Sequence, residues 1–243
     1  MAWNRDIPET VSLFLALHRR IVRMIWGRRS RGFKLFLLFT GIFGVIALMV
    51  AYNLTKSWDA WIISAVQSAE SPGLTSLAKV LSLVGSSKIV VPLSLAIIVA
   101  LFLLFRHRFE LVLFLWTGAT SHMLNSVLKS LLHRERPNIH RIIEEAGFSF
   151  PSGHSMAAFT VYGTLTFLLW RHIPSRTGRV LLVFVCFLLT AAIGWSRIYL
   201  GVHYPSDVIG GYAASCAWLM LSIVLFETWR SALNKRQSNK KAA

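Results

Sequence analysis

Six stretches of the chain run almost without charge for close to the length of a bilayer-crossing helix, about 20 residues. They are residues 35–54, 89–105, 109–128, 155–170, 180–196 and 208–226. Lys88 and Arg106 bracket the second, Arg179 and Arg197 bracket the fifth, and the third carries a single charge, Glu110. The second, fourth and fifth stretches fall slightly short, which places their flanking residues near the interface. The pattern predicts an all-α polytopic membrane bundle of six spanning helices with amphipathic interfacial helices beside them. Ahead of the first span, Phe14, Leu17, Ile21, Met24 and Ile25 recur at helical spacing, with His18, Arg19, Arg20 and Arg23 between them. That is the pattern of a helix lying on anionic lipid. After the first span, residues 56–87 form a long outer loop whose Ser71-Pro72-Gly73 turn separates two short amphipathic stretches. The organisation read from this is a basic segment 1–34, a six-span unit 35–228 and a basic tail 229–243, with no internal repeat.

Charge turns this bundle into an oriented one. The 243 residues are 55% hydrophobic and 15% charged, yet the formal net charge is +16. So much apolar mass excludes a disordered basic tail, and the long uncharged runs argue against a nucleic-acid module. Eighteen of the 26 Lys and Arg fall in the N-terminal segment, the loops at 106–108 and 171–179, and the tail. The positive-inside rule then puts both termini in the cytoplasm of a cell-membrane protein. Tyr52, Trp58 and Trp61 suit an outer aromatic belt, and Trp26 and Trp229 an inner one. Cys186 and Cys216 both lie in apolar stretches, so neither a disulfide framework nor metal-ligand spacing is present. The first 34 residues hold eight Lys and Arg and lack the pattern of a cleaved secretory signal.

Against this background, three clusters of ionisable residues stand at span ends on the outer side, where such groups are expensive and usually functional. They are Lys129 with Arg136-Pro137, Pro151-Ser152-Gly153-His154, and Ser196-Arg197 with His203 and Asp207. Each has an ordinary reading alone: a snorkelling lysine, a loop arginine, a turn opening a helix, an ion pair at a helix start. Together, on one face, they describe an anion cradle. Arg forks match the paired oxygens of a phosphate, and the free N–H groups at a helix start, with Gly153 allowing close approach, suit the same charge; Ser152 is also placed to cap that helix. His203 and Asp207 are four apart and share one face if the chain is helical there, with Pro205 tolerable in a first turn. A carboxylate on one imidazole nitrogen leaves the other as a nucleophile; which nitrogen attacks stays open. His154 has no such carboxylate and is free to act as a proton donor.

These clusters resemble the signature of the type 2 phosphatidic acid phosphatase superfamily, K-x6-R-P, P-S-G-H and S-R-x5-H-x3-D. The chain reads KSLLHRERP, PSGH and SRIYLGVHYPSD, matching every defining position over residues 129–207. The resemblance implies that Lys129, Arg136, Ser152, Gly153 and Arg197 bind phosphate. It implies that His203 attacks phosphorus to form a phosphohistidine, that Asp207 orients it and that His154 is the general acid and base. No metal or other cofactor is implied. The substrate class is a membrane phospholipid or isoprenoid phosphate, such as phosphatidylglycerophosphate, phosphatidic acid, diacylglycerol diphosphate or undecaprenyl diphosphate. Anionic lipid at the cytoplasmic face is the other expected partner, with no nucleic acid and no obligate protein partner. A lipid phosphotransferase would use the same residues. A non-enzymatic lipid-phosphate binder would be expected to lack His203 or His154, and vanadate-dependent haloperoxidases, which share the cradle, are soluble.

Smaller features complete the reading. Thr117, Ser121, Asn125 and Lys129 recur every four residues, beside His122 and Ser126. They form either a polar seam that steadies Lys129 or, the favoured reading, interhelical hydrogen bonds of about 0.6–2 kcal/mol each. Gly194, Gly210 and Gly211 suit close helix packing, and Ser196 is either a small packing residue or a donor to the cradle. His133 and His140 read as loop residues, and Glu144 and Glu145 either as shapers of head-group choice or, the favoured reading, as solvated loop charge. The 13 residues between Pro137 and Pro151 leave little room for a lid over the site.

Overall fold

The computed structural model describes residues 9–105, 108–138 and 140–242, with no side chains described ahead of Ser30. Among the described residues eight helices follow one another with no strand. They are α1 (Glu9–Ala51), α2 (Lys56–Gln67), α3 (Pro72–Val84), α4 (Ser87–Phe105), α5 (Arg108–Leu132), α6 (Gly153–Leu169), α7 (Arg176–Tyr199) and α8 (Pro205–Ala242). Four are long and apolar enough to cross a membrane: the Ser30–Ala51 part of α1, Glu110–Leu132, Arg176–Tyr199 and Pro205–Lys235. α3 and the Ser87–Ala100 part of α4, bent by 53° at their junction, make a fifth if they act as one crossing. α6 has 17 residues, about 25 Å at 1.5 Å per residue. The helices therefore supply four to five crossings by length where the hydropathy pattern predicts six.

The helices also outrun the apolar windows. Charged residues at a helix end lie in water or snorkel there at little cost, so the hydrogen-bonded ladder continues past them. The expected interfacial segment 11–26 does not separate from the first span: α1 runs unbroken for 43 residues, about 65 Å. Its expected amphipathic face, Trp26 and Arg106 lie outside the described side chains. The long loop holds the two expected short helices. Ser71 caps α3 by accepting from Leu74 N–H, and Pro72 opens it. These helices are packed over the end of α7. Gln67 Nε2 donates to the carbonyls of His140 and Tyr199, both at 3.0 Å, and Tyr199 Oη lies 3.0 Å from Thr75 Oγ1. Ala78, Tyr199, Leu200 and Val202 form a small buried cluster beneath them.

α6 is central and contacts α4, α5, α7 and α8, while α1 lies along α8. Thr117 on α5 bonds Thr164 on α6 at 3.1 Å, and Ser121 bonds Thr160 at 2.9 Å. Asn125 donates to the Pro151 carbonyl at 3.1 Å, while Lys129 turns to the Phe148 carbonyl at 2.8 Å. The four-residue repeat is thus an interhelical zipper, not a support for Lys129. Close packing uses the expected glycines: a Cβ at Gly194 would fall on the Tyr212 hydroxyl, and one at Gly210 would lie 2.6 Å from the Phe150 ring. Outward faces stay apolar, with Val45, Leu48, Val180, Phe184 and Phe187 exposed, as a lipid-facing surface requires.

α7 ends in a turn that the site depends on. Leu200 is its C-cap and Gly201 follows at φ +71°, the left-handed position that favours glycine. A Cβ at Gly201 would fall on the carbonyl oxygen of His140. We expect Gly201→Ala to cost about 2–4 kcal/mol, from left-handed strain plus overpacking, read as a lowered unfolding midpoint in detergent.

Candidate active site

The site is assembled where α5, α7 and α8 reach the same end of the bundle as the start of α6. α8 opens with Tyr204 as N-cap and Pro205 as its first residue. The third residue, Asp207, reaches back to accept from Tyr204 N–H at 2.8 Å, the carboxylate half of a capping box. The same carboxylate oxygen meets His203, whose Nδ1 lies 3.3 Å from Asp207 Oδ2. Ser149 Oγ donates to the same Oδ2 and is 3.3 Å from His203 Nδ1. Across the ring, Arg136 Nη1 lies 3.1 Å from His203 Nε2. A guanidinium only donates, so Nε2 presents its lone pair and Nδ1 carries the proton toward Asp207. The structure therefore singles out Nε2 as the atom facing the predicted cradle. His203 is fully buried, and burial lowers its pKa to about 3; the neutral ring is the form present at neutral pH.

Arg136 is buried, and burial pulls its pKa below the ordinary value while the charge of Asp207 opposes that shift. Its donors also reach Gly147 O (3.0 Å), Val202 O (2.9 Å) and Ala146 O (3.1 Å). Arg197, 1% exposed, donates to Ser82 Oγ on α3. Its Nε and Nη2 make no hydrogen bond, Nη2 lying as an ion pair against Glu145, and an orphaned buried donor costs about 1–3 kcal/mol. Glu145 pairs with both Arg136 and Arg197. This corrects its reading as solvated loop charge; Glu144, whose side chain is 86% exposed, fits that reading.

Ser152 is the cap expected of a serine at this helix start. Its N–H bonds the Asp207 carbonyl at 3.1 Å, and its hydroxyl caps α6 by accepting from Ser155 N–H. Gly153 and His154 are the first two helical residues, whose N–H groups have no acceptor within the helix. A Cβ at Gly153 would lie 3.0 Å from Asn125 Oδ1. His154 is half-buried beside the α3–α4 junction, in range of the charges of Lys129 and Arg136. Ser196 donates to Ile193 O at 2.6 Å, as a packing residue does. His133 packs edge-on against Phe148, and His140 pairs with Glu70 at 2.9 Å. Among the described residues no group of three His, Cys, Asp or Glu side chains is placed to hold a metal.

Sequence reasoning missed Arg134 and Asp59. Arg134 Nη1 donates to Asp207 Oδ1 at 2.6 Å and to Ser206 Oγ at 2.7 Å, and Nη2 to Asp59 Oδ2 at 2.8 Å. Asp59 on α2 is fully buried and also accepts from Ser206 N–H at 2.9 Å. The one available signal was a carboxylate on the apolar side of a short amphipathic helix, four residues before Ile63. Removing Arg134 leaves two buried carboxylates uncompensated. We expect Arg134→Met to cost about 3–5 kcal/mol, and adding Asp59→Asn to recover part of the loss, both read by unfolding in detergent. His203 sets a second expectation. The unfolded ring binds a proton below pH 6.5 and the folded ring does so only near 3, so its stability contribution is present above 6.5 and is lost as pH falls toward 3. The fall in unfolding midpoint between pH 7 and 4 should be shallower in His203→Asn.

Comparison with known proteins identifies the family. Residues 110–231 match the PAP2 superfamily. Phosphatidylglycerophosphatase B of Bacillus subtilis (strain 168) is 33% identical over 181 residues, covering 74% of this chain and 87% of that protein. A putative undecaprenyl-diphosphatase, YbjG of Escherichia coli (strain K12), is 32% identical over 123 residues, 49% of this chain and 58% of the other. The crystal structure of a transmembrane PAP2 type phosphatidylglycerolphosphate phosphatase from Bacillus subtilis superposes with a TM-score of 0.72 at 30% identity, over 81% of this chain and 96% of that one. With the family matched over half of its length and a relative aligned over most of it, the chain belongs to the PAP2 superfamily.

Proposed function

We propose that the protein hydrolyses the phosphate of a membrane lipid by a metal-independent, two-step displacement through His203. As a PAP2 member whose relatives are phosphatases, the chain is a lipid phosphatase, and the proposal concerns atoms, substrate and orientation. The observation that carries it is the 3.1 Å contact between Arg136 Nη1 and His203 Nε2. It supports the reading because a guanidinium fork, suited to phosphate oxygens, and an imidazole lone pair stand together.

In the first step His203 Nε2 forms a bond to phosphorus as the phosphorus–oxygen bond to the lipid breaks, and His154 donates a proton to the leaving oxygen. The ring becomes cationic while Nδ1–H stays on Asp207. Charge on the phosphoryl oxygens meets Lys129, Arg136, the orphaned Nε of Arg197 and the N–H groups of Gly153 and His154. In the second step His154 takes a proton from water, the oxygen attacks phosphorus, and the P–N bond breaks to release phosphate and neutral His203. Ser152 contributes by capping α6 and so aiming those N–H groups.

The reading places six spans in the cell membrane, with the Ser30–Ala51 part of α1, α4, α5, α6, α7 and α8 crossing in turn. Both termini are then cytoplasmic and the site faces outward. α6 crosses despite its length because it is enclosed by other helices rather than by lipid, and its ends fall at the site and at the turn before α7. Phosphatidylglycerophosphate, phosphatidic acid and undecaprenyl diphosphate are the substrate classes, the first and third supported by the relatives' names. The decisive measurement is phosphate release from these lipids in detergent with a chelator present. We expect wild-type activity to persist in chelator and His203→Ala to lose at least about a thousandfold, as removal of a nucleophile does; near wild-type release by that variant would refute the mechanism.

A further inference from the structure

Glu145 occupies the ground between two of the three cations assigned to phosphate. Its Oε1 accepts from Arg136 Nη2 at 3.3 Å, and its Oε2 pairs with Arg197 Nη2. The carboxylate is an anion bridging two guanidinium groups, which is the arrangement expected of a phosphoryl group at this site. The other donors of Arg136 already have acceptors, among them the carbonyls of Gly147 and Val202 and the lone pair of His203 Nε2. A phosphate that grips both arginines while facing His203 therefore meets Glu145 in its way.

The neighbouring acids are placed differently. Asp59 and Asp207 are fully buried and held by Arg134. Glu144 is turned outward and pairs with Arg141 at 3.7 Å. Glu145 is 27% exposed at its side chain and lies in the non-helical connector between α5 and α6, so it has both a partner inside and an exit.

We infer that Glu145 is an internal competitor for the phosphate cradle, displaced when a lipid phosphate binds and restored when inorganic phosphate leaves. The inference rests on reading Lys129, Arg136 and Arg197 as phosphate ligands. In the free site the carboxylate compensates two guanidinium groups that would otherwise repel each other in a nearly dry pocket. Any phosphate must first displace it, so the apparent affinity is the intrinsic one multiplied by the fraction of molecules with Glu145 withdrawn. A lipid phosphate has its membrane-anchored tail to offset that factor. Inorganic phosphate has only its charge, so the same factor disfavours the product and speeds its release. Glu145 thereby weakens both by one factor, which lets free phosphate leave while the tail keeps the lipid phosphate bound.

The test uses the full chain in detergent micelles, as wild type, Glu145→Gln, Glu145→Ala and Glu144→Gln, with inorganic phosphate as the probe. Phosphate is read as a competitive inhibitor of lipid hydrolysis and, without turnover, as the rise it causes in the unfolding midpoint. Both Glu145 variants should bind phosphate about tenfold more tightly, the factor expected if Glu145 is withdrawn in one molecule in ten, while Glu144→Gln stays within about twofold of wild type. Equal or weaker binding by the Glu145 variants overturns the inference, as does equal tightening by Glu144→Gln, which would make the effect one of net charge. If wild type hydrolyses none of the lipids, the hydrolase reading fails, and the midpoint shift still decides the role of Glu145.

Discussion

Asp59 and Asp207 reach the interior from α2 and α8, 148 positions apart in the chain, and Arg134 meets both. Neither carboxylate has any exposure. Two such charges persist in a low-dielectric interior only with compensation and hydrogen bonds. One guanidinium supplies both, with Ser206 bridging between the partners. Because Arg134 belongs to the connector after α5, the same pairing fixes where that connector runs. Its carbonyl then receives Ser149 N–H at 2.7 Å, which brings the Ser149 hydroxyl to Asp207 and His203. The position of the imidazole is inherited from an ion triad that contains none of the predicted phosphate ligands.

The predicted site residues separate into those the chain could reveal and those it could not. His203 and Asp207 were legible as a pair four apart, but the helical face that spacing suggests is not what joins them: α8 begins at Pro205, His203 lies ahead of its N-cap, and Asp207 reaches back across the cap to the ring. Arg136 was legible as one position of a signature, whereas Arg134, two residues before it, carries the same charge and no mark of its own. Its partners come from α2 and α8, and a single sequence does not record which distant acid answers which buried base. Ser152 was legible as a helix start but not as a residue whose own N–H is engaged by the Asp207 carbonyl. Glu145 was misread for a related reason: a glutamate in a polar loop resembles solvated charge until the arginines of two other segments are placed around it.

For the fold, apolar run length identified the helices and blurred their ends. Hydropathy stops at the first charge, while the backbone ladder continues through it, so α1 absorbs the segment expected to lie flat and α8 absorbs most of the tail. Periodicity did better where two helices meet. The repeat from Thr117 to Asn125 marks the face of α5 that zips to α6 and to the Pro151 carbonyl. It stops short of Lys129, because that side chain is already engaged by Phe148.

Asp207 caps α8 through Tyr204 N–H and holds His203 Nδ1 with the same oxygen. Helix initiation and imidazole orientation are therefore one event. A molecule in which α8 has formed its first turn has already restricted the ring to one tautomer and one rotamer. The conformational entropy of aiming the ring is lost once, during biogenesis, and is not lost again at each turnover.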